Sequence, residues 1–273
     1  MSEHYTIFGG NGFVGGEVAR LLESRGHSVT RVSRTNWPET GALLGNVIFT
    51  IGMTADFRKR LVETVELQVL RLHEALTRYT FSSFTYLSSA RVYDGAATTC
   101  EDAALLVRPS DQNHVYNISK LAGESLCFAF SNPQIRVVRM SNVYGAQDVS
   151  NLFLTAVMRE AVETGSVTIG QSPLSSKDYI WVGDVAEALA LISHSGRQQM
   201  YNLAAGRNVT HQTIADILTE EGFPVSFADN GSVVTIPPID VSRLNQEFTL
   251  AQTDPKETII RVLKTIRKNR KIQ

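Results

Sequence analysis

The chain has 273 residues and a formal net charge of −1, and 43% of its residues are hydrophobic and 19% charged. A chain of this length buries enough apolar surface to fold as one large or two closely packed domains without disulfides or metals as supports. The near-neutral charge gives no electrostatic reason to expect a nucleic acid or a membrane surface as a partner.

The cysteines and the N-terminal residues of the sequence bear on where in the cell the protein is located. Cys100 and Cys127 show no spacing typical of a metal site, and both are most simply interpreted as reduced thiols. The beginning of the sequence lacks the basic and apolar segments of a signal peptide, and no apolar run approaches the ~18 residues that span a membrane. We therefore expect a cytoplasmic protein with no metal, nucleic acid or membrane contact.

A short strand, a glycine-rich turn and a helix come first in the chain. Residues 4–8 have the pattern of a buried strand, and the helical pattern EVARLLESRG follows GGNGFVGG. Glycines at GxxGxxG spacing permit a tight turn and let backbone N–H groups approach a pyrophosphate, to which the helix N-terminus adds a partial positive charge. The pattern favours a dinucleotide site over a glycine turn without a ligand. The predicted contacts are Gly9, Gly12, Phe13, Val14 and Gly15.

The second strand, residues 28–34, ends in Ser33 and Arg34. An NAD site usually has an Asp or Glu here to bind the ribose 2′-hydroxyl, whereas an arginine can pair with a 2′-phosphate. We therefore predict cofactor contacts from Ser33 and Arg34 and favour NADP, with NAD still possible. The alternative is that Arg34 is an ordinary solvated cation.

The connection that follows is short. Residues 35–45 leave no room for a strand-helix-strand unit before the next apolar strand, residues 46–51. The third strand of a doubly wound sheet is therefore predicted to be missing or reduced to a stub. Residues 57–78 have the periodicity of a helix.

A tyrosine and a lysine form the candidate reaction centre. The strand over residues 83–88 runs into Ser88 and Ser89, at the sheet edge where open α/β sheets bind ligands. After a polar loop, a predicted helix carries Tyr116 and Lys120 four residues apart, on one face. An ammonium group beside a phenol stabilises the phenolate, so we expect Lys120 to lower the pKa of Tyr116 toward neutrality and make it a proton-transfer group.

The remaining elements complete the predicted architecture. A strand over 135–140, another over 200–203, and helices near 152–164, 183–193, 211–221 and after 255 follow in order. Together they predict an α/β fold with a Rossmann-like doubly wound parallel sheet and a small C-terminal α/β substrate domain. The predicted dinucleotide-binding domain comprises residues 1–145 and about 178–205. The predicted substrate domain comprises residues from about 146–177 and 206–273.

Six motifs in register resemble the extended short-chain dehydrogenase/reductase family, in its nucleotide-sugar epimerase/dehydratase/reductase branch. They are FGGNGFVG, LSSARVY, YNISKLAGE, VVRMSNVYG, KDYIWVGDVAEAL and MYNLAAG. The resemblance implies a homodimer formed through the helices over 57–78 and 114–131. It implies catalytic roles for Ser89, Tyr116 and Lys120. It also implies cofactor contacts from Thr50, Tyr116 and Lys120, and substrate contacts from Ser89, Asn142, Lys177 and Tyr179.

One departure from the family pattern narrows the reaction. Ala90 and Arg91 stand where dehydratases of this branch carry an Asp-Glu pair, so no carboxylate is present there to remove a C5 proton. This argues against dehydration. Because Ser33 and Arg34 favour NADP, we expect an NADPH-dependent ketosugar reductase acting on a nucleotide-activated sugar. The alternatives are an epimerase with tightly bound NAD and a non-catalytic NADP(H)-binding regulator on the same fold. The sequence leaves the sugar and the nucleotide open.

Overall fold

The computed structural model describes residues 2–53, 56–147 and 152–270. Six strands form one parallel sheet in the order β2-β1-β3-β4-β5-β9. Its strands are β1 (His4–Phe8), β2 (Ser28–Val32), β3 (Asn46–Phe49), β4 (Ser83–Ser89), β5 (Ile135–Met140) and β9 (Met200–Leu203). The strand β2 lies at the edge, and residues 33–45 add no strand beside it. The doubly wound α/β fold and its missing third strand are therefore confirmed.

The helices are α1 (Phe13–Ser24), α2 (Leu61–Val65), α3 (Arg71–Arg78), α4 (His114–Ala129), α5 (Phe153–Thr164), α6 (Val182–Ser195), α7 (His211–Glu220), α8 (Ser242–Glu247) and α9 (Pro255–Arg270). Helices α1, α3, α4 and α6 cover the two faces of this sheet, and the other helices lie elsewhere. On one side α1 and α6 enclose an aliphatic core, and on the other α3 and α4 enclose an aromatic one. None of the described helices is long and apolar enough to cross a bilayer.

The predicted helix over 57–78 is shorter and less regular than expected. It begins at Leu61, and a π-helical turn over Glu66–Leu70 joins α2 to α3. Gln68 of this turn is fully buried, where its amide nitrogen donates to the Met53 carbonyl and its oxygen accepts from the Ser119 hydroxyl. The turn thereby holds the segment after β3 against α4, and π-helical turns of this kind are frequent at functional sites.

The C-terminal elements form a second packing unit beside the sheet. Strands β6 (Asn142–Tyr144), β8 (Ser176–Trp181) and β10 (Asn208–Thr210) form a three-stranded sheet, and β7 (Val167–Ile169) pairs with β11 (Val225–Phe227). Helices α5, α7 and α9 pack on these strands around a separate apolar core. Residues 148–151 and 271–273 of the predicted substrate domain lie outside the described residues.

A buried ion pair ties the sheet to α4. Arg139 of β5 donates to both carboxylate oxygens of Glu124 on α4, at 3.0 and 2.7 Å. The Ser88 hydroxyl at the end of β4 donates to the same carboxylate at 2.5 Å. All three residues are buried. The carboxylate therefore fixes the position of α4 relative to two neighbouring strands.

The same arginine also holds the loop that precedes α4. Arg139 donates to the Tyr93 hydroxyl at 2.9 Å and to the Glu101 carbonyl at 3.1 Å. Tyr93 in turn donates to the Asn202 side chain at 2.8 Å, and the backbone N–H of Asn202 donates to the Glu101 carboxylate at 2.9 Å. The long polar loop is thus fastened to the carboxyl ends of β5 and β9.

We expect Glu124→Gln to lower the free energy of unfolding by about 3–5 kcal/mol, because it leaves the Arg139 guanidinium buried without its counter-charge. Glu187→Gln is the matched control, since Glu187 and Arg25 form an exposed pair at 2.5 Å and such pairs contribute about 1 kcal/mol or less. Urea denaturation followed by circular dichroism measures both variants. Equal, small effects would show that the buried pair does not hold the fold.

Candidate active site

The glycine turn between β1 and α1 is shaped for close approach of backbone to a ligand. Gly9 has a φ of +81°, and a Cβ on Gly15 would lie 2.4 Å from the Gly9 carbonyl oxygen. Gly12 is the N-cap of α1 with no side-chain cap, and the first turn carries no acidic residue. The first N–H groups of the helix therefore lack an intrahelical acceptor and suit an anion such as a pyrophosphate.

A cavity of about 1070 Å³ runs from this turn over the carboxyl ends of the central strands to α4. The structure brings all ten residues predicted as cofactor contacts to its wall. These are Gly9, Gly12, Phe13, Val14, Gly15, Ser33, Arg34, Thr50, Tyr116 and Lys120. Glycines, a helix N-terminus and an unbroken path to Tyr116 fit a dinucleotide bound with its pyrophosphate on the turn.

The far end of the cavity carries opposed charges. The Arg34 side chain is 79% exposed and its guanidinium lies 3.5 Å from the Glu63 carboxylate. The hydroxyl and the backbone N–H of Ser33 both donate to the Asn36 side chain, at 2.7 and 2.6 Å. Glu63 also lines the cavity, and sequence reasoning missed it because only the folded position of α2 brings it beside Arg34.

Tyr116 lies at the end of the cavity away from Arg34, where it is buried and only 9% exposed. The centres of the Phe57 and Tyr116 rings are 5.2 Å apart. Burial raises the pKa of Tyr116, while a hydrogen bond with Ser89 and the positive charge of Arg91 oppose that rise. The phenol is therefore protonated at neutral pH. The predicted lowering of this pKa toward neutrality is wrong for the structure as it stands.

The position of Lys120 explains why the pKa of Tyr116 is raised and not lowered, because the ammonium group of Lys120 binds other groups. Its Nζ donates to the Leu87 carbonyl at 2.8 Å and lies 5.1 Å from the centre of the Tyr86 ring. Burial lowers the pKa of Lys120 to about 8, opposed by the charge of Glu124. Lys120 lines the cavity as predicted, but the cation that acts on Tyr116 is Arg91.

Ser89 ends β4 at the position that the sequence predicted. Its hydroxyl accepts from the Arg91 backbone N–H at 3.3 Å, which caps the short 3₁₀ turn over Ala90–Tyr93. The Ser89 side chain also acts to lower the pKa of Tyr116, so the serine hydroxyl lies near the phenol. Two hydroxyl groups therefore converge where a substrate oxygen would be held.

The other predicted substrate residues lie on the three-stranded sheet, where Asn142 pairs in register with Tyr179. They are absent from the wall of the cofactor cavity. The Asn142 amide donates to the Asp178 carbonyl at 2.8 Å, and the buried Tyr179 hydroxyl has no hydrogen-bond partner among the described residues. Lys177 is half-buried, and burial followed by the charge of Arg91 lowers its pKa.

His211 is a further residue near this sheet that the sequence did not single out. It is fully buried and stacks on Phe153 with ring centres 4.2 Å apart. Burial and the charge of Lys177 lower the pKa of His211 to about 4, and neither ring nitrogen has a hydrogen-bond partner among the described residues. A neutral imidazole with both nitrogens unpaired is suited to contact a bound ligand.

Comparison with known proteins agrees with the motifs and the fold. The sequence profile described as the NAD dependent epimerase/dehydratase family matches residues 43–204, more than half of the chain. The expected family is thereby confirmed.

Solved structures with the same fold include three with bound dinucleotides. MoeE5 in complex with UDP-glucose and NAD has 22% identity and a TM-score of 0.79, covering 99% of this chain and 100% of that chain. UDP-glucuronic acid 4-epimerase from Bacillus cereus, with UDP-glucuronic acid and NAD, has 17% identity and a TM-score of 0.78, covering 97% and 99%. RMD from Pseudomonas aeruginosa, complexed with NADPH, has 20% identity and a TM-score of 0.75, covering 97% and 99%.

The lowered pKa of Lys120 predicts a rise of stability with pH in the cofactor-free protein. Above pH 8 the folded state has lost the Lys120 proton while the unfolded state keeps it up to about pH 10.4, so the unfolded state binds more protons and the free energy of unfolding increases. The rise is at most about 1.4 kcal/mol per pH unit.

Urea denaturation at pH values from 7 to 9.5 measures this rise in the wild type, in Lys120→Met and in the exposed control Lys256→Met. We expect Lys120→Met to flatten the rise and Lys256→Met to retain it. A Lys120→Met variant with the wild-type slope would show that Lys120 keeps its proton when buried.

Proposed function

We propose that this chain, which belongs to the NAD dependent epimerase/dehydratase family, is an NADPH-dependent reductase of a keto group on a nucleotide-activated sugar. The observation that carries the proposal is the layout of one cavity. Tyr116 lies at one end in contact with Ser89, and Arg34 lies at the other end beyond the glycine turn. A phenol that can donate a proton and a cation suited to a 2′-phosphate thus belong to the same site.

The bound nicotinamide would supply the hydride, and the chain would supply the proton. Because burial keeps the Tyr116 phenol protonated, it is set to donate a proton to the alkoxide oxygen that reduction creates. Ser89 would hydrogen-bond the same oxygen, a preorganised contribution of about 3 kcal/mol to the barrier. Arg91 would stabilise the phenolate that remains, and Phe57 covers the Tyr116 ring and excludes water from it.

Substrate binding is proposed for the three-stranded sheet. Asn142 would contact the diphosphate, as the family resemblance implies. Lys177 would supply a positive charge to the same diphosphate, and Tyr179 would contact the substrate from the neighbouring strand. The unpaired Tyr179 hydroxyl supports this proposal, since a buried hydroxyl gains most from a ligand that satisfies it. Nucleotide sugars are bound on this fold in MoeE5 and in the Bacillus cereus epimerase.

An epimerase that retains NAD is the second candidate, and Glu63 favours it. A carboxylate at the adenosine end can accept hydrogen bonds from ribose hydroxyls and repels a 2′-phosphate. NAD that stays bound through purification, with no exchange of added NADPH, would support the epimerase. A protein that binds NADP(H) without turning over any nucleotide sugar would instead support a regulator.

Assembly and domain division remain proposals. The exposed apolar side chains of Val62, Val65 and Leu70 lie on the α2–α3 stretch, and Phe128 lies near the end of α4. They support a homodimer through these two helical segments. The separate apolar core of the C-terminal elements supports a distinct substrate-binding domain.

We expect Tyr116→Phe to lower the rate of turnover on the order of 100- to 10,000-fold, because it removes the proton donor. The measurement is loss of NADPH absorbance with a panel of 4-keto nucleotide sugars that includes both 6-deoxy members and members with a C6 carboxylate. Tyr79→Phe is the matched control, since the Tyr79 hydroxyl donates to the Pro38 carbonyl at 3.0 Å, away from the reaction centre. Wild-type turnover by Tyr116→Phe would overturn the assignment.

The charges at the adenosine end predict the cofactor preference. Arg34→Gln should weaken NADPH binding about tenfold or more and leave NADH binding unchanged, because only NADPH has the 2′-phosphate. Glu63→Gln should strengthen NADPH binding roughly two- to fivefold by releasing Arg34.

Tryptophan fluorescence reports binding of both cofactors, since Trp37 lines the cavity. Arg78→Gln serves as the control for loss of an exposed arginine, because Arg78 pairs with Glu74 outside the cavity. Equal weakening of NADH and NADPH by Arg34→Gln would exclude recognition of the 2′-phosphate.

A further inference from the structure

Two arginines flank one aromatic ring beside Tyr116. The Arg58 guanidinium lies 4.5 Å from the centre of the Phe57 ring and the Arg91 guanidinium lies 5.2 Å from it. The same ring is 5.2 Å from that of Tyr116. Two positive charges therefore lie close to the proposed proton donor, and neither arginine belongs to the wall of the cofactor cavity.

Each guanidinium is positioned by an asparagine rather than neutralised by an acid. Arg58 Nε donates to Asn113 Oδ1 at 2.7 Å, and Arg91 Nε donates to Asn117 Oδ1 at 3.2 Å. The two asparagines are one helical turn apart at the beginning of α4. Each of these bonds uses only Nε, so the terminal N–H groups of both arginines have no acceptor among the described residues. Those terminal groups are the ones that bind a carboxylate in bidentate fashion.

No described carboxylate forms an ion pair with Arg58 or Arg91, although Asp94 and Asp111 act on Arg91 from a distance. Arg58 is exposed and Arg91 is partly buried, whereas the buried Arg139 pairs with Glu124. The amide nitrogen of Asn117 is buried and also lacks a hydrogen-bond partner among the described residues. A buried polar group without a partner, next to two unneutralised cations, indicates a ligand that is anionic and accepts hydrogen bonds.

The repulsion between the positive charges of Arg58, Arg91 and Lys177 supports an anionic ligand. Burial and then the charge of Arg58 lower the pKa of Arg91, and the charge of Arg91 contributes to lowering the pKa of Lys177. Like charges held together without an anion are unfavourable, and an anion between them relieves the repulsion. The charge of Arg91 acts on the pKa of both Tyr116 and Lys177, so Arg91 lies near the proposed reaction centre and near the proposed diphosphate contact.

We infer that Arg91, with Arg58 beside it, binds a carboxylate carried by the sugar ring itself, so that the substrate class is a nucleotide-activated uronic acid. This rests on the proposed function, since it assumes that Tyr116 holds the reacting oxygen. The group that reaches Arg91 is then a substituent of the reacting ring. Lys177 remains available to the diphosphate.

The test compares a matched pair of ligands that differ only in this carboxylate. Calorimetric titration of the cofactor-loaded protein with UDP-glucuronic acid and UDP-glucose gives the ratio of their affinities. We expect the wild type to favour the acidic sugar, and Arg91→Gln to weaken its binding about tenfold or more while changing that of UDP-glucose less than about twofold. Arg91→Lys should retain part of the preference, because the charge remains but the bidentate geometry is lost.

Controls separate this effect from loss of structure or of general charge. Arg197→Gln removes an exposed arginine that pairs with Glu247, outside the site, and should keep the wild-type ratio. Circular dichroism and NADPH binding establish that Arg91→Gln is folded. If the uridine pair does not bind, the same comparison is made with the acidic and neutral members of the thymidine and guanosine diphosphate series.

Three results would count against the inference. Equal weakening of both ligands by Arg91→Gln would assign Arg91 to the diphosphate, and a wild type without preference for the acidic sugar would leave the carboxylate unrecognised. Either result leaves the proposed reductase intact. A protein that binds none of the nucleotide sugars would contradict the proposed function itself, and the inference with it.

Discussion

The buried pair between Glu124 and Arg139 is the constraint on which the rest of the site depends. Tyr116, Lys120 and Glu124 follow one another at four-residue spacing, so they share a face of α4. The pair fixes that face against β4 and β5, where Ser88 donates to the same carboxylate. The Glu124 carboxylate thus holds both Ser88, which precedes Ser89, and helix α4, which carries Tyr116. Ser89 and Tyr116 lie near each other for this reason. The enclosed charges are tolerated because each is matched by hydrogen bonds as well as by its counter-charge.

Burial, more than any nearby charge, sets the protonation states at the reaction centre. It keeps Tyr116 protonated and lowers the pKa of Lys120 to about 8. A protonated phenol is the form needed to donate to an alkoxide, which agrees with reduction as the proposed direction. Arg91 supplies the positive charge that the sequence assigned to Lys120. The family resemblance implies that Ala90 and Arg91 replace an Asp-Glu pair after Ser89, which removes the carboxylates suited to dehydration and leaves a cation near Tyr116.

The two ends of the cofactor cavity are built differently. At the pyrophosphate end, glycines and a helix N-terminus act through backbone N–H groups, which allow few substitutions because a Cβ on Gly15 would meet the backbone of Gly9. At the other end, the exposed Arg34 and the partly buried Glu63 form an ion pair. In the proposed function, the turn binds either dinucleotide, and the balance between Arg34 and Glu63 sets the choice between NAD and NADP.

The sequence alone determined the α/β fold, the missing third strand and ten of the residues that line the cavity. Those features follow from local patterns, namely strand periodicity, the length of residues 35–45 and the spacing of Gly9, Gly12 and Gly15. Each pattern can be recognised without knowing which distant residues contact it. The family followed from motifs in register. Only the tertiary structure decided what depends on distant residues meeting, such as Glu63 beside Arg34, His211 against Phe153, or the π-helical turn that buries Gln68. It also decided that Lys120 points its charge at a carbonyl, because burial and hydrogen bonding belong to the folded environment and not to the spacing of two residues on a helix.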